Sequence, residues 1–287
     1  MTQISPKARR SLLFVPGARP ERFSKAVAAG ADMVCIDLED ATPPQHKDAA
    51  RVAALEFIAN HRGPVELVLR INSPRTVFGL RDLLALSELP GPRALTLMLP
   101  KVEAAADIEW VDQMLTQHRI DLIALLESAR AIDEVNAIAS ASPRLSALML
   151  GGADLSVELR GALAWDTLTY ARGRLVAAAS RFRLDLIDVP FIDVADGAGL
   201  EVETARVRAM GFTTKAAIHP SQVVPINREF TPSQAQIEHA RRVLDAYASV
   251  AGGAVLLDGK LVDTPIYLAA KQVMGLVEAL NAASATH

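Results

Sequence analysis

The chain has a single cysteine, Cys35, in 287 residues. A disulfide framework is therefore excluded, and a reducing, cytoplasmic setting is expected. An excess of one charge is also lacking: 30 basic residues stand against 33 acidic ones, for a net charge of −3. With no block of like charge, neither nucleic acid nor an anionic membrane is an expected partner. No apolar run reaches the ~18 residues of a transmembrane helix. The basic start, MTQISPKARRS, leads only to Leu12-Leu13-Phe14-Val15, too short for the apolar core of a signal peptide. There is no His/Cys cluster, no low-complexity linker and no Gly-rich dinucleotide loop after the first apolar run.

What is present is apolar content, about half of the chain (51%), enough for a sizeable core. Short, mostly apolar runs recur at 12–15, 33–36, 66–71, 95–99, 122–126, 145–150, 184–189 and 215–218. They lack strict alternation, as buried parallel strands do. Stretches with helical spacing lie between them, such as Val52, Leu55, Phe57 and Ile58, or Ile108, Val111, Met114 and Leu115, or Leu168, Leu175, Val176 and Ala179. Gly30 reads as a helix C-cap before the second strand. Eight strands alternating with helices predict a (β/α)8 barrel, for which about 250 residues is typical. An open doubly wound sheet shares the alternation and is the alternative. The last stretch differs. Residues 233–248 read as a helix, Asp258-Gly259 between apolar flanks as a hairpin turn, and 266–283 as a final helix. The expected domains are a barrel over 1–225 and a helix–hairpin–helix extension over 226–287, serving as lid or oligomer arm.

A barrel collects its active groups at the C-terminal ends of its strands. Those ends are charged here. They carry Arg19 after Pro16-Gly17, then Asp37, Glu39 and Asp40, then Arg70. Lys101 and Glu103, Glu127, Asp154, Asp188 and Asp193, and His219 follow in chain order. So many carboxylates need an offsetting charge if they share one mouth. A hard divalent cation supplies it, and an all-oxygen ligand set points to Mg²⁺. Glu127 and Asp154, on adjacent strand ends, are the candidate ligands. Taken singly, Asp154 also reads as a helix N-cap and Glu127 as a solvated rim charge. Asp188 reads as a structural acceptor, His219 as a packed, hydrogen-bonded histidine, Cys35 as core, and Lys101 as the partner of a rim carboxylate. A Schiff-base aldolase using Lys101 or Lys215 is a rival reading.

The stretches RRSLLFVPGARPERFSKA, GADMVCIDLEDAT, LRIN, LPKVE, ALLESARA, GGADLSVELRG, GFTTKAAIHPSQ and DGKLVDTPIYLAA occur in order over nearly the whole chain. As an ordered set they resemble the citrate lyase beta-subunit-like family, within the Mg²⁺-dependent aldolases and acyl-CoA lyases. The resemblance implies a barrel with a C-terminal extension, packed as a homotrimer or hexamer. It implies cleavage of a 3-hydroxyacyl-CoA such as malyl-CoA or citramalyl-CoA into acetyl-CoA and an oxo acid. It also implies roles. Glu127 and Asp154 bind the metal, with Glu127 also at the substrate, and Arg70 holds the substrate oxygens. Glu39 and Asp40, with Asp37 beside them, hold metal-bound water. Asp263 is the acid/base carboxylate, delivered to a neighbouring subunit, and Arg19 and Lys25 meet the CoA phosphates. Thr214 stands where many members have glycine, which implies a different local loop. Thioester hydrolysis, a CoA-independent pyruvate aldolase and a noncatalytic acyl-CoA-binding protein are the alternatives.

Overall fold

In the computed structural model, residues 9–91, 93–250 and 253–285 are described. The chain divides into two compact units, one of them Arg10–Arg228 and the other taking in the residues from Glu229 onward.

The first unit is a closed barrel of eight parallel strands in sequence order. They are β1 (Ser11–Pro16), β2 (Met33–Asp37), β3 (Glu66–Arg70), β4 (Ala94–Leu99), β5 (Arg119–Leu126), β6 (Leu145–Leu150), β7 (Asp185–Asp188) and β8 (Thr214–Ala217). Ser11, Leu12 and Leu13 pair with Lys215, Ala216 and Ala217, which closes the ring. That closure rules out the open sheet. The strands match the apolar runs, except that β5 starts at Arg119, three residues before its run. Its outer end pairs with β4, where Ala94 faces Arg119.

Side chains alternate along each strand, so one parity fills the barrel and the other meets the helices. Leu12, Met33, Cys35, Val68, Met98, Ile123, Leu125, Ala147, Met149, Ile187 and Ala216 form the inner core. Cys35 is thus core, as its setting in the sequence implies, and burial raises its thiol pKa. Continuing the inner parity by two residues reaches Asp37 on β2, Arg70 on β3 and Glu127 just past β5. The alternation that packs the barrel therefore aims these three at its C-terminal mouth.

Gly30 follows the short helix Phe23–Val27 after a turn rather than capping it; the cap is Ala28. Its φ of +83° still demands glycine there. Thr214 is fully buried as the first residue of β8, so the departure from the family pattern lies in the barrel wall and not in a loop.

The second unit contains the helix Gln234–Ser249, an antiparallel hairpin of β9 (Val255–Leu257) and β10 (Lys260–Val262), and the helix Thr264–Ala285. Asp258 and Gly259 both have positive φ, as a two-residue hairpin turn of this type requires. Ala240, Val243, Val262 and Ala270 form its small core. Tyr247 and Tyr267 stack with ring centroids 4.4 Å apart. Among the described residues no helix is long and apolar enough to cross a membrane.

Candidate active site

Asp37 and Arg70 are register partners on neighbouring strands, both facing inward. Arg70 donates from Nε to Asp37 Oδ1 at 2.7 Å and from Nη2 to Oδ2 at 2.6 Å. This bidentate pair is nearly dry, with the Arg70 side chain 13% exposed and that of Asp37 1%. Burial works against the Arg70 charge, but the hydrogen bonds and charge of Asp37 outweigh it and hold its pKa above the ordinary value. Asp37 also accepts the backbone N–H groups of Glu39 (2.8 Å) and Ala41 (3.1 Å), which shapes the acidic turn after β2. Phe14, on the inner parity of β1, lies under the guanidinium at 5.2 Å.

That turn presents Glu39, whose buried Oε2 has no hydrogen-bond partner. It lies 3.2 Å from Arg70 Nη1, an ion pair without hydrogen-bonding alignment. Glu127 stands across the mouth and is almost fully buried, which rules out a solvated rim charge. Its Oε1 accepts the backbone N–H of Lys101 at 2.7 Å. Gly151 packs directly on it: a Cβ at 151 would lie 2.3 Å from Glu127 Cβ. Asp154 sits in the first turn of the helix Gly152–Glu158, whose N-cap is Gly151, so Asp154 is not a cap.

Lys101 joins these carboxylates. Its Nζ contacts Asp154 Oδ2 and lies 3.7 Å from Glu127 Oε2, 3.9 Å from Glu39 Oε1 and 4.0 Å from Asp40 Oδ2. Burial opposes its charge, but the Asp154 hydrogen bond and the charges of Glu127 and Glu39 keep its pKa above the ordinary value. Burial raises Glu39 to about 7, with Arg70 countering and Asp40 and Glu127 adding to the rise. Burial raises Glu127 to about 7 as well, against the pull of Lys101.

Beside these groups opens a cavity of about 270 Å³, lined on its charged side by Asp37, Asp40, Arg70, Glu127 and Asp154 and on the other by apolar residues including Ile192. The donor set is all oxygen, and Glu39 Oε2 is buried without a hydrogen bond; both suit a hard cation. Among the described residues no group of three His, Cys, Asp or Glu side chains is drawn in around one metal position. The Lys101 ammonium sits among the carboxylates, touching Asp154 and standing 3.7 to 4.0 Å from Glu127, Glu39 and Asp40. Glu127 Oε2 and Asp154 Oδ2 both face that ammonium, and magnesium, which keeps several waters, needs only one or two protein carboxylates.

Other residues named from the sequence lie elsewhere. Asp188 and Lys215 are register partners on the outer parity of β7 and β8, facing the helices. Lys215 Nζ donates to Asp188 (2.7 Å), Glu203 (2.8 Å) and the Val189 carbonyl (2.8 Å), and Arg172 Nε donates to Asp188 at 2.9 Å. Asp188 is thus a structural acceptor and not a mouth carboxylate, and Lys215 cannot reach a substrate carbonyl there. Asp193 is exposed and binds the N–H groups of Ala195 and Asp196 in its own loop. Glu103 pairs with Arg75 at 2.8 Å. His219 is exposed rather than packed and caps the turn Pro220–Gln222. Arg19 pairs with Glu21 at 2.7 Å, and Lys25 is exposed on the helix Phe23–Val27; neither lines the cavity. In the second unit, Asp263 precedes the helix Thr264–Ala285, and its Oδ1 accepts the Ile266 N–H at 3.3 Å.

Lys47 also serves the mouth, and no motif in the sequence marks it. Buried at the start of the helix Lys47–Asn60, it donates to the carbonyls of Leu38 (2.8 Å) and Glu39 (2.7 Å) and to Asn72 Oδ1 (2.5 Å). It pins the acidic turn from behind. A lysine opening an amphipathic helix reads as a solvated charge, and only the LRIN stretch, which supplies Asn72, hints at its partner.

A parallel eight-stranded barrel whose mouth gathers carboxylates, a paired arginine and a lysine places the chain among barrel enzymes with an acidic, oxygen-rich site. The chain belongs to the HpcH/HpaI aldolase/citrate lyase family, whose model matches residues 10–220, and it is a carbon–carbon lyase. It is 34% identical to an L-malyl-CoA/beta-methylmalyl-CoA lyase of Cereibacter sphaeroides, over 98% of each chain. It is 36% identical to a citrate lyase subunit beta-like protein of Mycobacterium tuberculosis, over 91% of this chain and 93% of the relative. Among solved structures, CitE from Mycobacterium tuberculosis in complex with magnesium, acetoacetate and coenzyme A superposes with a TM-score of 0.78 at 35% identity, covering 93% of this chain and 97% of the other. RipC from Yersinia pestis gives 0.70 at 40% identity, covering 79% and 97%.

Proposed function

We propose that the chain cleaves a 3-hydroxyacyl-CoA of the malyl-CoA or citramalyl-CoA type into acetyl-CoA and an oxo acid, with Mg²⁺ at the mouth. The observation that carries this reading is the convergence of Asp40, Glu127 and Asp154 with the Arg70–Asp37 pair on one cavity, with Glu39 beside Arg70. Relatives named for malyl-CoA cleavage, and a solved neighbour holding magnesium, acetoacetate and coenzyme A, support the same reading.

Glu127 and Asp154 would hold the ion, with Glu39 and Asp40 receiving its waters. Bound there, it would supply Lewis-acid polarisation and a template for the hydroxyl and carboxylate of the acyl end. Arg70, fixed by two bonds to Asp37, would turn Nη1, which faces Glu39 without a hydrogen bond, to substrate oxygen in a charge-assisted contact. The substrate hydroxyl gives its proton to the carboxylate cluster and its carbon becomes the oxo-acid carbonyl. The electron pair of the broken carbon–carbon bond moves onto the thioester as an enolate. Asp263 of a neighbouring subunit returns a proton to the enolate carbon, and in the reverse direction removes it. The cavity of about 270 Å³ suits a few-carbon acyl group, so the nucleotide end of CoA lies outside it, toward Arg19 and Lys25. On this reading residues 226–287 form the arm that builds a trimer or hexamer.

The test is a panel of malyl-, citramalyl-, citryl- and 3-hydroxy-3-methylglutaryl-CoA with Mg²⁺, assayed for oxo acid and CoA species. Oxo acid with acetyl-CoA is expected from at least one. Free CoA without oxo acid would establish thioester hydrolysis instead.

A further inference from the structure

Lys101 serves the mouth through two separate groups. Its backbone N–H holds Glu127 Oε1 at 2.7 Å, which leaves Oε2 as the face turned to the ammonium. To aim that N–H the residue adopts φ +55°, a left-handed conformation uncommon for a residue with a side chain. Its side chain is not fixed in this way. The ammonium touches Asp154, stands 3.7 to 4.0 Å from three further carboxylates, and keeps 39% of the side chain open to solvent.

Four carboxylates around one ammonium leave an excess of negative charge, which a doubly charged ion offsets better. An ammonium and a divalent ion cannot both occupy the point between Glu127 Oε2 and Asp154. Two of the four partners are nearly dry, Glu39 (9%) and Glu127 (7%), whereas Asp40 is 63% exposed and marks the solvent side. A flexible four-carbon stem can follow that direction without moving its backbone.

We propose that Lys101 is an exchangeable counter-cation: its ammonium holds Glu127 and Asp154 together and swings out toward Asp40 as a divalent ion takes its place, while its N–H stays on Glu127. This rests on the magnesium reading of the mouth. Lys101 is then a positioning residue that keeps a repulsive ligand set assembled and lowers the apparent affinity for the ion that replaces it.

The experiment reads metal binding and lysine position on the same protein. The seven lysines are reductively methylated with isotope-labelled formaldehyde, which keeps their charge, and the Lys101 signal is assigned by its loss in Lys101→Met. Mg²⁺ is then titrated with calorimetry in parallel. The Lys101 signal is expected to shift in step with the calorimetric isotherm. Lys101→Met is expected to bind Mg²⁺ ~10-fold more tightly, because one opposing charge at ~4 Å is removed. Lys101→Arg, which keeps the charge, is expected to bind no more tightly than the wild type. A merely structural lysine would not separate the two variants in this way. Calorimetric binding with a motionless Lys101 signal and equal affinities overturns the exchange and leaves the magnesium site standing. Absence of Mg²⁺ binding to wild type and Lys101→Met alike overturns both.

Discussion

Arg70 and Asp37 face each other across β2 and β3 and lock through two hydrogen bonds of 2.7 and 2.6 Å. Asp37 spends its remaining capacity on the Glu39 and Ala41 N–H groups. One carboxylate thereby fixes both the cation and the acidic turn of the mouth.

Arg70→Lys is expected to keep the fold and lose activity by two orders of magnitude or more, since a point-charge ammonium cannot replace the planar fork. Steady-state kinetics with thermal melting in parallel checks this. Asp37→Ala is expected to be worse for stability, by ~3–5 kcal/mol, because it strands a buried guanidinium. A variant Arg70→Lys with wild-type turnover would remove Arg70 from the substrate contacts.

Folding raises Glu39 and Glu127 from the ordinary 4.5 to about 7, with burial as the main cause. Between those pH values the folded chain holds more protons than the unfolded one. Stability therefore falls as pH rises from about 4.5 to 7, and no further loss from these groups follows above that range. Mg²⁺ binds the deprotonated forms, so its stabilisation grows over the same window and its binding releases protons. Melting temperatures across this range with and without Mg²⁺ should diverge toward high pH. A Mg²⁺ effect that shrinks with rising pH would contradict the assignment.

Asp263 accepts the Ile266 N–H as a helix cap, and a purely structural role has to be told apart from proton transfer. Asn caps nearly as well as Asp, whereas Ala costs ~1 kcal/mol. Asp263→Asn is therefore expected to melt like the wild type, bind acyl-CoA, and lose most turnover. Solvent deuterium should also stop entering the methyl group of acetyl-CoA. Retained turnover in this variant would leave Asp263 a cap alone.

Gly151→Ala would place a methyl group 2.3 Å from Glu127 Cβ. The expected result is a displaced Glu127, a Mg²⁺ affinity lowered by ~10-fold or more, and a loss of ~1–3 kcal/mol from overpacking. Calorimetry and urea unfolding measure the two effects. Unchanged Mg²⁺ affinity would show that Glu127 does not ligate from this position.

The eight strands were legible because each is a short apolar run, and parity then predicts which polar residues face the mouth. Asp37, Arg70 and Glu127 obey it directly. Asp188, expected as a structural acceptor, is one: it accepts from Lys215 and Arg172 away from the mouth. Asp188 ends β7 and Lys215 lies near the start of β8, both on the outer parity, one residue out of phase with Ile187 and Ala216. In runs buried on both faces, apolar composition does not reveal parity; only the register does. Lys47 and the place of Lys101 among the carboxylates were not legible, because both depend on where a long, flexible side chain ends. The hairpin at Asp258-Gly259 was legible because that turn tolerates few residue pairs.

The central claim is that chain-distant carboxylates converge on one hard cation. The most direct measurement is a crystal structure with Mn²⁺ substituted for Mg²⁺, read by anomalous scattering. The account predicts one peak bonded to both Glu127 and Asp154, with Arg70 still on Asp37. Saturating Mn²⁺ with no peak between those carboxylates would contradict it.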